Sequence, residues 1–291
     1  MNLSFWIEAA RPRTLSLSIT PVFVGSTLAW STNQQVDLRA ILAALLGSAF
    51  IQIGTNLHND AADSQRGGDG PDRFGPRRLT ASGLLSGAAV RCGAIVCFGL
   101  AALFGIYLIT VGGWPILVLG LSAILSAWIY TGGPLPIAYT PFGEMFVVAF
   151  FGIGAVGGTY WLCTQSLVAA ALVSGLALGL LSGAVLLVNN FRDMKADARV
   201  GRRTLAIIAG PQLTVWIYAG FMLLPYALLP LIGLAVPHRH VWLTFAALAP
   251  TFLLIYRFMR EPPGRGFNRI LIQTVRIQLL FSTLLGLGFL F

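Results

Sequence analysis

The sequence predicts an all-α integral membrane protein with about nine transmembrane helices. Of its 291 residues, 56% are hydrophobic and only 10% are charged, and the mean hydropathy is +0.80. An average globular protein has about 25% charged residues. Long apolar runs in lipid form helices, because an uncovered strand edge would leave backbone groups unpaired. A helical span needs about 20 residues, so nine spans fill the chain as a single membrane domain over 1–291, with no room for a large soluble domain.

Nine apolar runs follow one another along the chain, separated by more polar segments of different lengths. The first begins after ARPRT, and the breaks that follow it are STNQQ, the long segment from NDAAD to RRLTAS, a glycine pair, TGGPLPIAYTP and TQS. The last three breaks are the segment from NNFRD to IIAGP, then AVPHRH, then REPPGRGFNR. In chain order the predicted spans are Leu15–Trp30, Leu38–Leu57, Gly87–Thr110, Trp114–Tyr130, Phe142–Cys163, Leu167–Val188, Gln212–Leu234, Val241–Phe258 and Leu271–Phe291.

The basic residues predict the orientation. Of the 19 Lys and Arg residues, only Arg39 and Arg239 fall in segments opposite the N-terminal side. Loops that stay in the cytoplasm retain positive charge. We therefore expect a multi-pass protein of the cytoplasmic (inner) membrane with a cytoplasmic N-terminus. The net charge of +9 does not indicate nucleic acid binding, because the basic residues alternate with spans instead of forming a basic domain.

The acidic residues are more unevenly placed than topology requires. Of the ten, only Asp37 faces away from the N-terminal side, and six lie in two segments: Asp60, Asp63, Asp69, Asp72, Asp193 and Asp197. Acidic residues have little influence on topology, so this clustering needs another reason. Two acidic segments on one membrane face predict a cation site there.

The two acidic segments have matching spacing. At about 100° per residue, Asn56, Asp60 and Asp63 share one helical face, as do Asn189, Asp193 and Asp197. The interval from Asn56 to Asn189 equals the interval from Asp60 to Asp193. Two arginines and a threonine follow each set. Four spans separate the sets, so their helices run in the same direction. This pattern predicts a parallel internal repeat.

The residue types indicate a site for a metal–diphosphate complex. Carboxylate and amide oxygens are the ligands that Mg²⁺ prefers, and Mg²⁺ commonly shares phosphate oxygens. Arginines add paired donors for a diphosphate. A diphosphate at a membrane face suggests a lipid, and stabilising its departing charge would ionise an allylic C–O bond. The cation would need a dry aromatic lining, for which Tyr130 and Tyr139 are candidates.

The same stretches resemble a known family. NDAAD with the downstream RDMKAD is similar to the two aspartate-rich motifs of the UbiA superfamily of intramembrane aromatic prenyltransferases. ARPRTL, QIGTNLHNDAADSQRGGDGPDRFGPRRLT, YTGGPLPIAYTPFGEMFVVAFFGIGAVGGTYW and LLVNNFRDMKADARVGRRTLA resemble the 1,4-dihydroxy-2-naphthoate polyprenyltransferases of menaquinone synthesis. The resemblance implies nine helices around a central cavity open to lipid. It also implies transfer of a polyprenyl group from its diphosphate to the naphthoate, with loss of CO₂, giving demethylmenaquinol.

The resemblance also implies roles for individual residues. Asp60, Asp63, Asp193 and Asp197 would be the catalytic Mg²⁺ ligands. The residues expected to contact diphosphate are Asn56, Asn189, Arg66, Lys195 and Arg203. By its position beside the first span, and not by the resemblance, Arg11 is a candidate to hold the carboxylate of the aromatic acid; anchoring by the positive-inside rule is the alternative. One position departs from the family: the expected third acid of the first motif is Gly67, and the next acid is Asp69, whose metal role stays open.

Two alternatives to this function remain open from the sequence. Another aromatic acceptor, such as 4-hydroxybenzoate or homogentisate, fits the motifs equally well, because the aspartates act on the prenyl donor. A membrane transporter is the alternative from a different class. It is disfavoured because transporters place ionisable groups near the middle of the bilayer, whereas the acids here fall at span ends.

Overall fold

The computed structural model describes residues 3–66, 74–75, 77–237 and 239–291, and within these ranges every regular element is helical. Seven helices are long and apolar enough to cross a membrane, and the helices Ser16–Asn33 and Trp114–Ile129 bring the long helices of the described ranges to nine. The predicted all-α membrane fold is therefore confirmed. In chain order the helices are α1 (Leu3–Ala10), α2 (Ser16–Asn33), α3 (Leu38–Gln65), α4 (Gly87–Gly112), α5 (Trp114–Ile129), α6 (Gly143–Thr164), α7 (Ala169–Arg192), α8 (Met194–Arg199), α9 (Leu205–Ala235), α10 (Val241–Arg260) and α11 (Phe267–Leu290).

Local capping explains where α3 begins. The Asp37 carboxylate accepts the backbone N–H of Arg39 at 2.9 Å and that of Ala40 at 3.2 Å. A side-chain acceptor at this position satisfies N–H groups that have no partner within the helix. The one acid predicted on the far side of the membrane is therefore a helix cap.

Two helices extend furthest beyond the predicted spans, by seven residues or more at one end. α3 continues past Leu57 to Gln65, so Asp60 and Asp63 lie in the last turns of this helix, beyond its predicted end. α9 begins at Leu205 and not at Gln212, with a break at Gly210, whose φ is 73°. Glycine adopts this conformation without strain, and the proline that follows it lacks an N–H, so the helix changes direction there and then resumes.

The helix α7 lies at the centre of the fold. In its most apolar stretch of 18 residues, 78% of the residues are buried inside the protein, whereas the share in α4 is 22%. Near its end, the ring of Phe191 lies 5.0 Å from the rings of both Phe258 and Phe267, measured between ring centroids. This packing joins α7 to α10 and α11. The second acidic segment therefore follows directly from the most enclosed helix of the protein.

α6 and α7 cross with their backbones in contact. A Cβ added at Gly152 would lie 2.5 Å from the Cα of Gly179 and even closer to the carbonyl oxygen of Gly175. At Gly179, an added Cβ would lie 2.7 Å from the carbonyl oxygen of Val148. Small residues at helix crossings allow such close approach in membrane proteins.

Gly152→Ala is expected to lower the free energy of unfolding by about 1–3 kcal/mol, because the added methyl group meets backbone atoms that cannot rotate away. Thermal unfolding in detergent micelles measures the effect. The matched control is Gly99→Ala, since a Cβ at Gly99 has no atom within 4 Å and the gain in helix propensity is the same. A Gly152→Ala protein that melts as high as the Gly99→Ala protein would contradict this packing.

Candidate active site

A cavity of about 560 Å³ runs between the helices, with apolar walls and one polar end. The apolar lining includes Ile106 and Leu121, which are 61% and 62% exposed on the outer surface. The cavity therefore reaches the lipid-facing surface beside α4 and α5. The polar end is lined by Arg11, Asn56, Asn59, Asp63, Arg78, Tyr130, Asn189, Asn190, Asp193, Asp197 and Arg202.

The last turns of α3 place Asp63 and Asp60 differently. Asp63 lines the cavity and is 3% exposed. Asp60 is outside the lining, and its two carboxylate oxygens accept the backbone N–H groups of Leu79, at 3.1 Å, and Thr80, at 3.0 Å. Asp60 therefore anchors the backbone of Leu79 and Thr80 to the last turns of α3. Asp69 lies outside the described residues.

Two arginines connect the acidic segments through Asp63. One oxygen of Asp63 accepts from Arg78 at 2.7 Å, and the other accepts from Arg202 at 2.6 Å. Arg202 also donates to Asp197 at 3.1 Å. Arg202 therefore bridges the first and second acidic segments directly. It brings together two regions of the chain that α4 to α7 separate in sequence.

The second acidic segment is held at the end of α7. The guanidinium of Arg192 pairs with Asp193 at 2.5 Å and donates to the amide oxygen of Asn189 at 2.7 Å. Arg192 also donates to Asn268 at 2.9 Å, and the Asn268 amide donates to the carbonyl of Phe74 at 2.8 Å. The start of α11 is thereby fixed beside the acids. Neither Arg192 nor Asn268 was predicted as a site residue from the sequence.

Three predicted diphosphate contacts lie outside the cavity lining. Arg66 donates to the carbonyl of Thr131 and, at 2.6 Å, to the carbonyl of Gly133. Lys195 and Arg203 are exposed. Two arginines that were not predicted to contact diphosphate line the cavity instead. They are Arg78, next to Arg77, and Arg202, next to Arg203.

Tyr139 contacts the arginines from outside the cavity. Its ring centroid lies 4.9 Å from the guanidinium carbon of Arg202 and 5.7 Å from that of Arg66. A guanidinium over an aromatic face is attracted by the ring quadrupole. The structure therefore places Tyr139 as a support for Arg202, whereas the sequence suggested a lining role.

Arg11 and Tyr130 both line the cavity, as part of its polar end. The Asn56 amide donates to the carbonyl of Ala10 at 2.9 Å, which fixes the turn that carries Arg11. Removal from water raises the pKa of Tyr130, and the carboxylate of Glu144 adds to this effect. The Tyr130 phenol therefore stays protonated and can donate a hydrogen bond into the cavity.

Glu144 and Asn190 form a buried pair that was not predicted from the sequence. Glu144 is 2% exposed, and the Asn190 amide donates to its carboxylate at 2.8 Å. Asn190 lines the cavity between the side chains of the second acidic segment. The pair therefore connects the start of α6 with the end of α7 at the polar end of the cavity.

The polar end is electrostatically balanced. Three carboxylates, Asp63, Asp193 and Asp197, are matched by Arg78, Arg192 and Arg202. Burial lowers the pKa of Arg202, but the carboxylates of Asp63 and Asp197 raise it by more, so this arginine stays charged.

The donor set at this end fits a hard divalent cation. Asp63, Asp193 and Asp197 line the polar end of the cavity together with Asn59 and Asn189, and oxygen donors of these kinds suit Mg²⁺. Within the described ranges, no three His, Cys, Asp or Glu side chains are grouped as a ready metal site. A cation held by these residues would need phosphate oxygens and water to complete its coordination.

Comparisons with known proteins relate this chain to one family and one fold. The model of the UbiA prenyltransferase family matches residues 18–270. The 1,4-dihydroxy-2-naphthoate octaprenyltransferase of Haemophilus influenzae is 33% identical over 99% of this chain and 96% of the relative. The protein of the same name from Mycobacterium tuberculosis is 38% identical over 84% of this chain and 83% of the relative. The solved structure of a UbiA homolog from Archaeoglobus fulgidus bound to DMAPP and Mg²⁺ has a TM-score of 0.71 at 16% identity, covering 98% of each chain.

Proposed function

Because the chain belongs to the UbiA prenyltransferase family, we propose that it transfers a polyprenyl group from its diphosphate to 1,4-dihydroxy-2-naphthoate. The products are demethylmenaquinol, diphosphate and CO₂, which places the reaction in menaquinone biosynthesis. The observation that carries the proposal is the Asp63–Arg202–Asp197 bridge at the polar end of a large apolar cavity. The names of the naphthoate octaprenyltransferase relatives support the choice of acceptor.

The donor diphosphate binds at the polar end, with its isoprenoid chain along the apolar walls. Asp63, Asp193 and Asp197, with Asn59 and Asn189, would hold Mg²⁺ there, and Arg78 and Arg202 would donate to diphosphate oxygens. When bound, Mg²⁺ neutralises negative charge that develops on the departing diphosphate. Asp60 anchors the segment after α3, and Arg66 holds the backbone after α5.

The apolar cavity protects the allylic cation left by the departing diphosphate. Phe146 and Phe150 line it together with aliphatic side chains, so water that would capture the cation is excluded. Aromatic faces also attract a cation. The enclosure therefore favours reaction with the aromatic ring over hydrolysis.

The acceptor binds through its carboxylate and a ring hydroxyl. Arg11 presents paired donors suited to the carboxylate, and the Tyr130 phenol donates to a ring oxygen. One C–C bond forms between the ring and the allylic carbon, while the C–O bond to diphosphate and the C–C bond to the carboxylate break. The electron pair of the ring–carboxylate bond returns to the ring, so no net proton transfer is needed.

The active site faces the cytoplasm in this proposal, with a cytoplasmic N-terminus. The support is the placement of the arginines and lysine, of which all but Arg39 and Arg239 fall on the side that carries the acidic segments. The multi-pass membrane location follows from the helices themselves.

Purified protein given Mg²⁺, a polyprenyl diphosphate and equimolar 1,4-dihydroxy-2-naphthoate, 4-hydroxybenzoate and homogentisate is expected to form mainly the decarboxylated prenyl-naphthohydroquinone. Mass spectrometry of the extracted lipids identifies the product, and a chelator is expected to abolish its formation. Prenylated hydroxybenzoate or homogentisate as the main product would assign the chain to another acceptor. No prenylated product in the presence of all three would overturn the activity.

A further inference from the structure

A second, smaller groove lies on the outer face of the protein between α10 and α11. Its volume is about 220 Å³, and it shares no lining residue with the central cavity. Leu253, Ile277 and Leu280 provide an apolar floor, and Arg257, Gln273 and Arg276 provide polar groups. The groove therefore combines an apolar channel with donors for an anion.

Arg276 is an exposed charge within a helix long enough to span the membrane. It follows the first residue of α11, Phe267, by about 14 Å along the helix axis. A charge at this depth is costly unless it finds a partner or reaches the interface. Helical Cα–Cβ bonds tilt toward the N-terminus, so the side chain of Arg276 points toward the end where Asn268 meets Arg192. It therefore reaches toward the level of the lipid head groups.

Arg257 approaches the same groove from α10, which runs in the opposite direction. It lies in the last turn of that helix, close to Arg260. The two arginines therefore line one groove from neighbouring helices, and among the described residues the groove lining contains no carboxylate.

We propose that this groove binds an anionic phospholipid. Arg257 and Arg276 donate to its phosphate, Gln273 donates to the head group or an ester oxygen, and an acyl chain lies along Leu253, Ile277 and Leu280. Basic pockets between transmembrane helices suit such head groups. The bound lipid would stabilise the contact between α10 and α11. The site is separate from the proposed catalytic centre, so its test requires no enzyme activity.

The test is a titration of detergent-solubilised protein with phosphatidylglycerol or phosphatidylcholine, followed by native mass spectrometry and thermal unfolding. We expect phosphatidylglycerol to bind and to raise the melting temperature, and phosphatidylcholine to do so much more weakly. The double variant Arg257→Gln/Arg276→Gln is expected to weaken phosphatidylglycerol binding roughly 30-fold, from about 1 kcal/mol for each arginine. The variant Arg257→Lys/Arg276→Lys keeps the charge and is expected to retain part of the binding.

The matched control is Arg265→Gln/Arg269→Gln, which removes two exposed arginines from the same end of the protein outside the groove. This control is expected to bind phosphatidylglycerol as the unmodified protein does. Equal losses in both double variants would indicate general charge attraction and overturn the site. Unchanged phosphatidylglycerol binding by Arg257→Gln/Arg276→Gln would likewise overturn the site, and a concomitant loss of self-association would assign the groove to a second copy of the chain.

Discussion

Asp63→Asn is expected to lower the rate of prenyl transfer by about 10²–10³-fold, the usual cost of removing one group that stabilises transition-state charge. Asp63 lines the cavity and accepts from Arg78 and Arg202, so it holds both arginines in place as well as offering an oxygen to a cation. Asparagine keeps the shape but loses the charge. Initial rates of naphthoate prenylation at saturating Mg²⁺ measure the effect.

The control for this variant is Asp60→Asn, three residues away on the same helix. Both Asp60 oxygens accept backbone N–H groups, so asparagine would turn its NH₂ group toward one of these donors. We expect stability to fall by about 1–3 kcal/mol, with a loss of activity within about tenfold in the protein that remains folded. If Asp60→Asn abolished turnover and Asp63→Asn did not, the assignment of the two aspartates would be reversed.

Arg202→Gln is expected to lower the free energy of unfolding by about 3–5 kcal/mol and to abolish detectable prenyl transfer. The substitution leaves two buried carboxylates, Asp63 and Asp197, without the cation that joins them, and breaking a buried ion pair from one side has this cost. Arg202→Lys keeps the charge but cannot bridge two carboxylates in the same planar geometry. Its stability and its rate of prenyl transfer should therefore lie between those of the unmodified protein and those of Arg202→Gln. Thermal unfolding and initial rates are measured on the same preparations.

The neighbouring Arg203 provides the matched control, because it is exposed and lies outside the cavity lining. Arg203→Gln removes the same charge from the adjacent position and is expected to change stability by less than about 0.5 kcal/mol. Comparable damage in Arg203→Gln and Arg202→Gln would show that net positive charge, and not the bridge, is what the site requires.

The sequence predicted the helices and the location of the acids well, because both depend on local patterns. Apolar runs identify membrane helices from their length alone. Asp60 and Asp63 lie in the last turns of α3 and Asp193 directly follows α7, as the spacing predicted, whereas Asp197 lies on the separate short helix α8. That Arg202 meets both Asp63 and Asp197 agrees with the prediction that the two segments lie on one side of the fold.

The contacts that each motif residue makes could not be predicted, because they depend on how distant segments pack together. Asp60 meets Leu79 and Thr80 only because the chain after α3 folds back onto that helix. The choice of Arg202 over Arg203 depends on the direction in which the chain leaves α8. A regular spacing of 100° per residue assigns both aspartates of the first motif to one helical face. It does not tell which of the two accepts hydrogen bonds from a neighbouring segment of the chain.

The central claim is that the two acidic segments together bind a metal–diphosphate complex at one end of the cavity. The most direct test is calorimetric titration of the protein with a non-reactive thiolo analogue of a polyprenyl diphosphate, with and without Mg²⁺. We predict binding that requires Mg²⁺ and weakens more than 100-fold in Asp63→Asn and in Asp197→Asn, but less than about tenfold in Asp60→Asn. Binding of equal affinity without Mg²⁺, or unchanged binding in both Asp63→Asn and Asp197→Asn, would contradict the claim.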